Sequence, residues 1–197
     1  MTREEWLQLF IEKARPHFKR VGCELPERIR ASIGFTSKGV RSPAIGECWR
    51  DSVTKDKTFE IFIAPTEEDP ARIADILTHE LVHSGMTDDE GHGKEFRRVA
   101  ESLGLCGKMT ATVAGPAWFE WANPILEEIG PYPGDSVNVQ LFIEKRRRGH
   151  KVPRQAKCVC SECGFLFRTS LCWLESCTQI RCPNPNCEGE VKVEIND

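Results

Sequence analysis

The chain has no run of apolar residues approaching the roughly 20 needed to cross a bilayer, which excludes a membrane-spanning helix. Strong charge of either sign is also missing, with a net charge of −3 over 197 residues, so bulk electrostatics select no partner. The amino-terminal stretch MTREEWLQLF carries acids where a secretory signal would be basic, which predicts a cytoplasmic chain, with nuclear access if the source is eukaryotic. Internal repeats are absent. Tyrosine occurs once and histidine five times, so any site built on imidazoles must draw on His17, His79, His83, His92 and His150.

What is present is unevenly distributed. Seven of the ten cysteines fall between Cys158 and Cys187, whereas Cys23, Cys48 and Cys106 are scattered through the rest. In a chain without an export signal, such clustering points to metal ligation more than to disulfides. A length of 197 residues with 40% hydrophobic content suits one ordinary core followed by a small module.

Apolar residues at Trp6, Leu7, Phe10, Ile11, Ala14 and Phe18 predict an opening helix over Glu4 to Lys19. Ile29, Ala31, Ile33 and Phe35 alternate with polar residues as a half-buried strand would. Further strands are expected near Ile45 to Trp49 and over Phe59 to Ile63, and TKDK before the latter suits a hairpin turn. Acids and proline in PTEEDP open a helix over about Pro70 to His83, with Gly85 as its stop. A second helix from about Gly93 to Gly104 buries Phe96, Val99, Ala100 and Leu103, and a third over Ala117 to Ile129 is expected to break at Pro124. The order of elements predicts an α+β fold, helices on a small antiparallel sheet, followed by a small four-cysteine module.

HELVH, at residues 79 to 83, lies within the predicted Pro70 to His83 helix. Its histidines are four residues apart, about one turn, so both imidazoles project from one face toward a single ion. Glu80 then stands beside the metal as a general base for an activated water. A catalytic zinc commonly has three protein ligands and one open position, and His92 in GHGKEF, nine residues after His83, is the candidate third ligand. Flanking Gly91 and Gly93 permit a tight approach, and Glu90 or Glu95 is the alternative. Tyr132 is a candidate for oxyanion stabilisation, and an extended substrate is expected along the strand near Gly46 to Trp49.

Past Glu144, the sequence KRRRGHKVPRQAK holds seven cations and no acid. It reads as a linker or binding arm in which Lys145, Arg146, Arg147, Arg148, Lys151, Arg154 and Lys157 can contact DNA phosphates. Cys160 and Cys163 in CSECG, with Cys182 and Cys187 in CPNPNC, suit a structural zinc of the ribbon type, with Cys158 as an alternative to Cys160. Phe165 to Arg168 and Val191 to Ile195 read as its strands, Cys158, Cys172 and Cys177 as leftover buried thiols, and Trp173 and Phe165 as stacking surfaces.

HELVHSG followed by EGHGKEFRRVAESLGL resembles the SprT-like metalloproteases, and the likeness extends through IGECW, FEIFIAP, GKMTATVAGP and the cysteine-rich end. The resemblance implies a zincin-like domain over 1-143, a basic linker over 144-157 and a zinc ribbon over 158-197. It further implies His79, His83 and His92 as ligands of a catalytic zinc and Glu80 as the catalytic glutamate of a metalloendopeptidase. Part of that family cleaves proteins attached to DNA, which carries an expected link to DNA repair. The alternative is a nucleic-acid-binding zinc-ribbon adaptor with a structural or vestigial protease-like site. Reversing charge at Arg146, Arg147 and Arg148 to Glu is expected to weaken DNA binding and flatten its salt dependence, because each neutralised phosphate contributes to counterion release. An unchanged affinity in a filter-binding titration would remove the arm from the interface.

Overall fold

The computed structural model describes residues 1–86, 91–148 and 155–194, with only the backbone described at residues 142 and 145–148. The chain divides into two compact units, Met1–Val139 and Gln140–Asp197.

The first unit opens with α1 (Arg3–Arg20), started by a capping box in which the Thr2 side chain accepts from the Glu5 amide and Glu5 accepts from the Thr2 amide. Its predicted apolar stripe, Trp6, Leu7, Phe10, Ile11, Ala14 and Phe18, is buried without exception. Strands β1 (Ile29–Ile33), β2 (Gly46–Trp49) and β3 (Phe59–Ile63) follow and form one sheet in the order β1-β3-β2. This sheet is mixed, not antiparallel as expected: β3 pairs antiparallel with β2 but parallel with β1, Ala31 standing opposite Ile61. Alternation reports which side chains share a face and is blind to strand direction. The central position goes to β3, whose Phe59, Ile61 and Ile63 are all buried.

Against that sheet lies α2 (Pro70–Gly85), which also touches α1, α3 (Lys94–Ser102), α4 (Pro116–Ile129) and the hairpin strand β5 (Ala111–Ala114). Asp69 caps it, the carboxylate accepting from the Arg72 amide at 3.0 Å, and Pro70 occupies the first turn where no N–H is needed. Ile73, Leu77 and Leu81 are fully buried on its inner side. The indole N–H of Trp118 donates to Thr78 Oγ1 at 3.1 Å, fixing α4 against α2.

Pro124 sits inside α4 without breaking it. A proline there costs the helix about 3 kcal/mol, and burial of Trp118, Ala122, Ile125 and Ile129 along one face offsets that loss. Between α3 and α4 the hairpin β4 (Leu105–Lys108) with β5, for which the sequence offered no strong alternation, pairs Cys106 with Val113.

In the second unit α5 (Val139–Arg148) reaches back one residue across the division and covers residues 144–148, expected in a linker. β6 (Gln155–Cys160) is the centre of an antiparallel sheet ordered β7-β6-β8, with β7 (Leu166–Ser170), the short helix α6 (Leu171–Ser176) and β8 (Val191–Glu194). Among the described residues no helix is long and apolar enough to cross a membrane.

Gly104 joins α3 to β4 at φ +87°, and a Cβ there would lie 2.2 Å from the Trp118 amide nitrogen. Gly104→Ala therefore combines left-handed strain with a backbone clash and is expected to cost more than about 2 kcal/mol, read as a lowered melting temperature.

Candidate metal centres

Two groups of side chains converge. On α2, Arg72, Ile76, His79, Glu80 and His83 form a stripe that lines a cleft of about 690 Å³, with Ile76 and Glu80 on its buried side. His92 enters from the segment before α3, next to Gly91, whose φ of +51° is a left-handed turn. The Nε2 atom of His92 lies 3.2 Å from Nε2 of His79 and 3.2 Å from Nε2 of His83. Tetrahedral ligands with metal–nitrogen bonds of about 2.05 Å would stand about 3.3 Å apart, so the spacing fits one first-row ion. The alternatives recede: Glu95 points to Arg98, which donates to it at 2.6 Å, and Glu90 lies outside the described residues. His17 stacks on Trp121, and His150 also lies outside the described residues.

Beneath the three rings lies Phe96, fully buried, its centroid 4.9, 4.5 and 4.8 Å from those of His79, His83 and His92. One aromatic ring thus sets the height of all three imidazoles. Burial, then the neighbouring imidazoles, push His79 down to about 3, and burial, His92 and Arg50 push His83 down to about 4. Burial also lowers His92. At neutral pH the rings are therefore uncharged, the form that offers a lone pair to a metal.

His79 Nδ1 stands 2.8 Å from Thr112 Oγ1 on β5. Were Nε2 turned to a metal, Nδ1 would carry the proton and donate it to that hydroxyl, and the contact would fix ring tautomer and rotation. Thr112 is held in turn by the hairpin's attachment to α2. Asp75, buried, accepts from the Ala114 amide at 3.0 Å and from Arg72 Nη1 at 2.7 and 2.9 Å. Burial raises the Asp75 carboxyl, and the Ala114 and Arg72 contacts oppose that rise.

Glu80 is buried at 7% exposure and abuts Gly46 of β2 so closely that a Cβ at Gly46 would fall 2.5 Å from its Oε1. Burial and then Glu47 push it up to about 8. A cation on the three imidazoles would draw that value down, leaving a carboxylate able to take up a proton.

Tyr132 is not in this cleft. It packs edge-on to Trp6 at 5.3 Å with Arg3 over its ring, so the oxyanion role expected for it has no geometric support. Burial raises its hydroxyl as well.

In the second unit the Cys160 and Cys187 sulfurs are 3.6 Å apart and those of Cys163 and Cys182 3.5 Å apart, and all four lie within 4.8 Å of one another. A tetrahedral ion with metal–sulfur bonds of about 2.3 Å would set them about 3.8 Å apart. Backbone amides of Cys163 and Glu162 lower the Cys160 thiol and the Phe165 amide brings Cys163 down to about 6, so the first turn favours thiolates. In the second turn burial pushes Cys182 up to about 12, and at Cys187 the lowering contact of the Gly189 amide is outweighed by Cys163 and burial, which raise it. Gly189 leaves room for the cluster, since a Cβ there would meet Cys160 Sγ at 2.7 Å. Cys158, weighed as a replacement for Cys160, is buried in β6 opposite Phe167 and Val193 and stands outside the cluster. Cys172 and Cys177 are exposed, not the buried thiols expected.

Of the basic arm, Lys151 and Arg154 lie outside the described residues, as do the side chains of Lys145, Arg146, Arg147 and Arg148. Lys157 pairs with Glu194 across β6 and β8 at 2.8 Å. Phe165 and Trp173, expected as stacking surfaces, are both exposed.

Thr112, Asp75, the packing of Gly46 against Glu80 and the flooring role of Phe96 were not legible in the sequence. Arg72 and Ile76 were legible in principle, seven and three residues before His79 on the same stripe; Thr112, 33 residues away, carries no local signal. A scan against protein-family models and searches among curated proteins and solved structures found no match. Thr112→Val removes the acceptor of His79 Nδ1 while keeping its volume, and is expected to weaken metal affinity at the histidines about tenfold in a chelator competition, the lower end for such supporting bonds.

Proposed function

We propose that this chain is a zinc-dependent metallopeptidase of the SprT-like type, with a zincin-like first unit, a catalytic zinc on His79, His83 and His92, and a structural zinc on Cys160, Cys163, Cys182 and Cys187. The observation that carries the reading is the convergence of three uncharged imidazoles on one wall of a cleft in which Glu80 is the buried carboxylate. Three imidazoles suit a catalytic zinc, and four thiols in two turns suit a structural one. When bound, an ion on these three imidazoles would supply Lewis acidity toward water and the scissile carbonyl.

The protein's own part is positional. Glu80 takes a proton from the attacking water at a carboxylate oxygen and delivers it to the departing amine, so one residue serves both halves of the reaction. Burial against Gly46 holds that carboxylate in a single place and keeps bulk water from competing for the proton. Thr112 keeps His79 in the tautomer that turns Nε2 inward. β2 is an edge strand of its sheet and borders the cleft, so its outer edge can pair with an extended substrate through backbone hydrogen bonds that read no sequence.

A substrate held on nucleic acid is an extension of this reading. On one face of the second unit's sheet, Lys157 stands opposite Arg168, and Lys192 lies two residues before Glu194 on β8. Exposed Trp173 and Phe165 offer apolar rings of the type on which bases stack. The same features motivate the adaptor alternative, in which hydrolysis is absent.

The decisive experiment is Glu80→Gln. Hydrolysis of a casein or quenched-peptide substrate is expected to fall by at least about a hundredfold, while two metal ions per chain remain by mass spectrometry under native conditions. Full activity in that variant would sink the assignment; absence of activity in the zinc-loaded parent chain would favour the adaptor.

A further inference from the structure

The cleft has a charged end whose geometry the hydrolytic reading leaves unused. Arg72 lies on the cleft wall seven residues before His79, about 10.5 Å along the helix axis. Its guanidinium is only partly committed. Nη1 alone serves both Asp75 oxygens, at 2.7 and 2.9 Å, and the Thr112 carbonyl at 3.4 Å. Among the described residues neither Nε nor Nη2 has a hydrogen-bond acceptor, and the side chain is 29% exposed. The pair left over is the side-on edge of the fork, whose two parallel N–H bonds match a carboxylate. The other charged groups lining the cleft are Lys38, Glu47, Arg50 and Glu80. Glu47 is matched by Ser37, whose amide and hydroxyl donate at 2.7 and 2.6 Å. Arg50 belongs to the opposite end, where it donates to the Met86 carbonyl at 2.9 Å.

The direction of a bound chain follows from the same contacts. Gly46 abuts Ile76 and Glu80, while Arg50, just beyond β2, reaches Met86, so β2 and α2 run in the same sense. A segment added to the edge of β2 in the more stable antiparallel manner runs the other way. Its part C-terminal to the scissile bond therefore passes Gly46 toward Arg72.

We propose that the free edge of Arg72 is a carboxylate-recognition subsite, selecting substrates with a carboxylate a few residues C-terminal to the cleaved bond. The proposal rests on the peptidase reading and adds its substrate class. Asp75 is the positioning residue: by holding Nη1 it turns the remaining edge toward the cleft. The carboxylate can come from a Glu or Asp side chain or from the substrate's own C-terminus.

The test uses the zinc-loaded full chain and quenched peptides in which Glu, Gln or Lys occupies each of the first four positions after the cleaved bond. Amidated C-termini form one arm; a second arm compares free acid with amide in peptides without acids. At one of these positions, or with the free acid, kcat/KM is expected to rise on the order of tenfold over Gln or amide, as for a hydrogen bond to a charged group. The first arm assigns a side chain, the second a terminus. In a Glu80→Gln background, which reads binding without turnover, fluorescence anisotropy should show the same ratio in Kd. Arg72→Gln should bring the Glu-to-Gln and acid-to-amide ratios to about one, in kcat/KM and in Kd alike, whatever its effect on the overall rate through the Asp75 tether. Arg72→Lys, whose ammonium stays committed to Asp75, should reduce the preference if the glutamine variant fails to fold. Cleavage of Glu, Gln and Lys peptides at equal rates in both arms overturns the subsite and leaves the peptidase reading standing. No cleavage of any peptide by the parent chain overturns both.

Discussion

Everything in the first unit turns on keeping three uncharged imidazoles together, the His92 nitrogen within hydrogen-bonding distance of those of His79 and His83. Such a cluster is unfavourable by itself, because adjacent lone pairs repel and buried rings lose solvation. Only a rigid surround can hold it. Two sides of that surround are apolar: the inner face of α2 with Ile73, Leu77 and Leu81, and Phe96 beneath the rings. Folding energy from the core thus maintains an arrangement whose natural complement is a cation.

The polar side of the surround is a relay of tethers from one helix to one hairpin. Asp75 binds the Ala114 amide, Arg72 binds Asp75, and the hairpin so fixed presents Thr112 to His79. Gly104 and Gly115 close the base of the same hairpin, the Gly115 amide donating to the Gly104 carbonyl at 2.9 Å. A small movement of β5 would therefore rotate the candidate ligand His79, and a metal site tolerates little such movement.

The second unit solves a different problem. Its sheet buries little besides Ala156, Cys158 and Cys160, far short of what a free-standing core requires. Four sulfurs drawn together by two turns supply the missing cohesion when an ion binds, since binding and folding are then the same free energy. The exposed Trp173, Leu166 and Phe165 are left over from that economy of core.

Local sequence determined a good deal. The buried stripe of α1, the run of α2 from Pro70, the placement of His79, Glu80 and His83 on one side of it, and the pairing of two cysteine turns follow from spacing, because helix and turn geometry act over a few residues. Spacing also nominated His92 without placing it. Tertiary structure alone decided that β1 runs parallel to β3, that α4 passes through Pro124 intact, that Tyr132 belongs to the core against Trp6, and that Thr112 and Gly46 meet His79 and Glu80. Each of those outcomes depends on contacts between residues far apart in the chain, and periodicity carries no information about which distant surface a given face will meet.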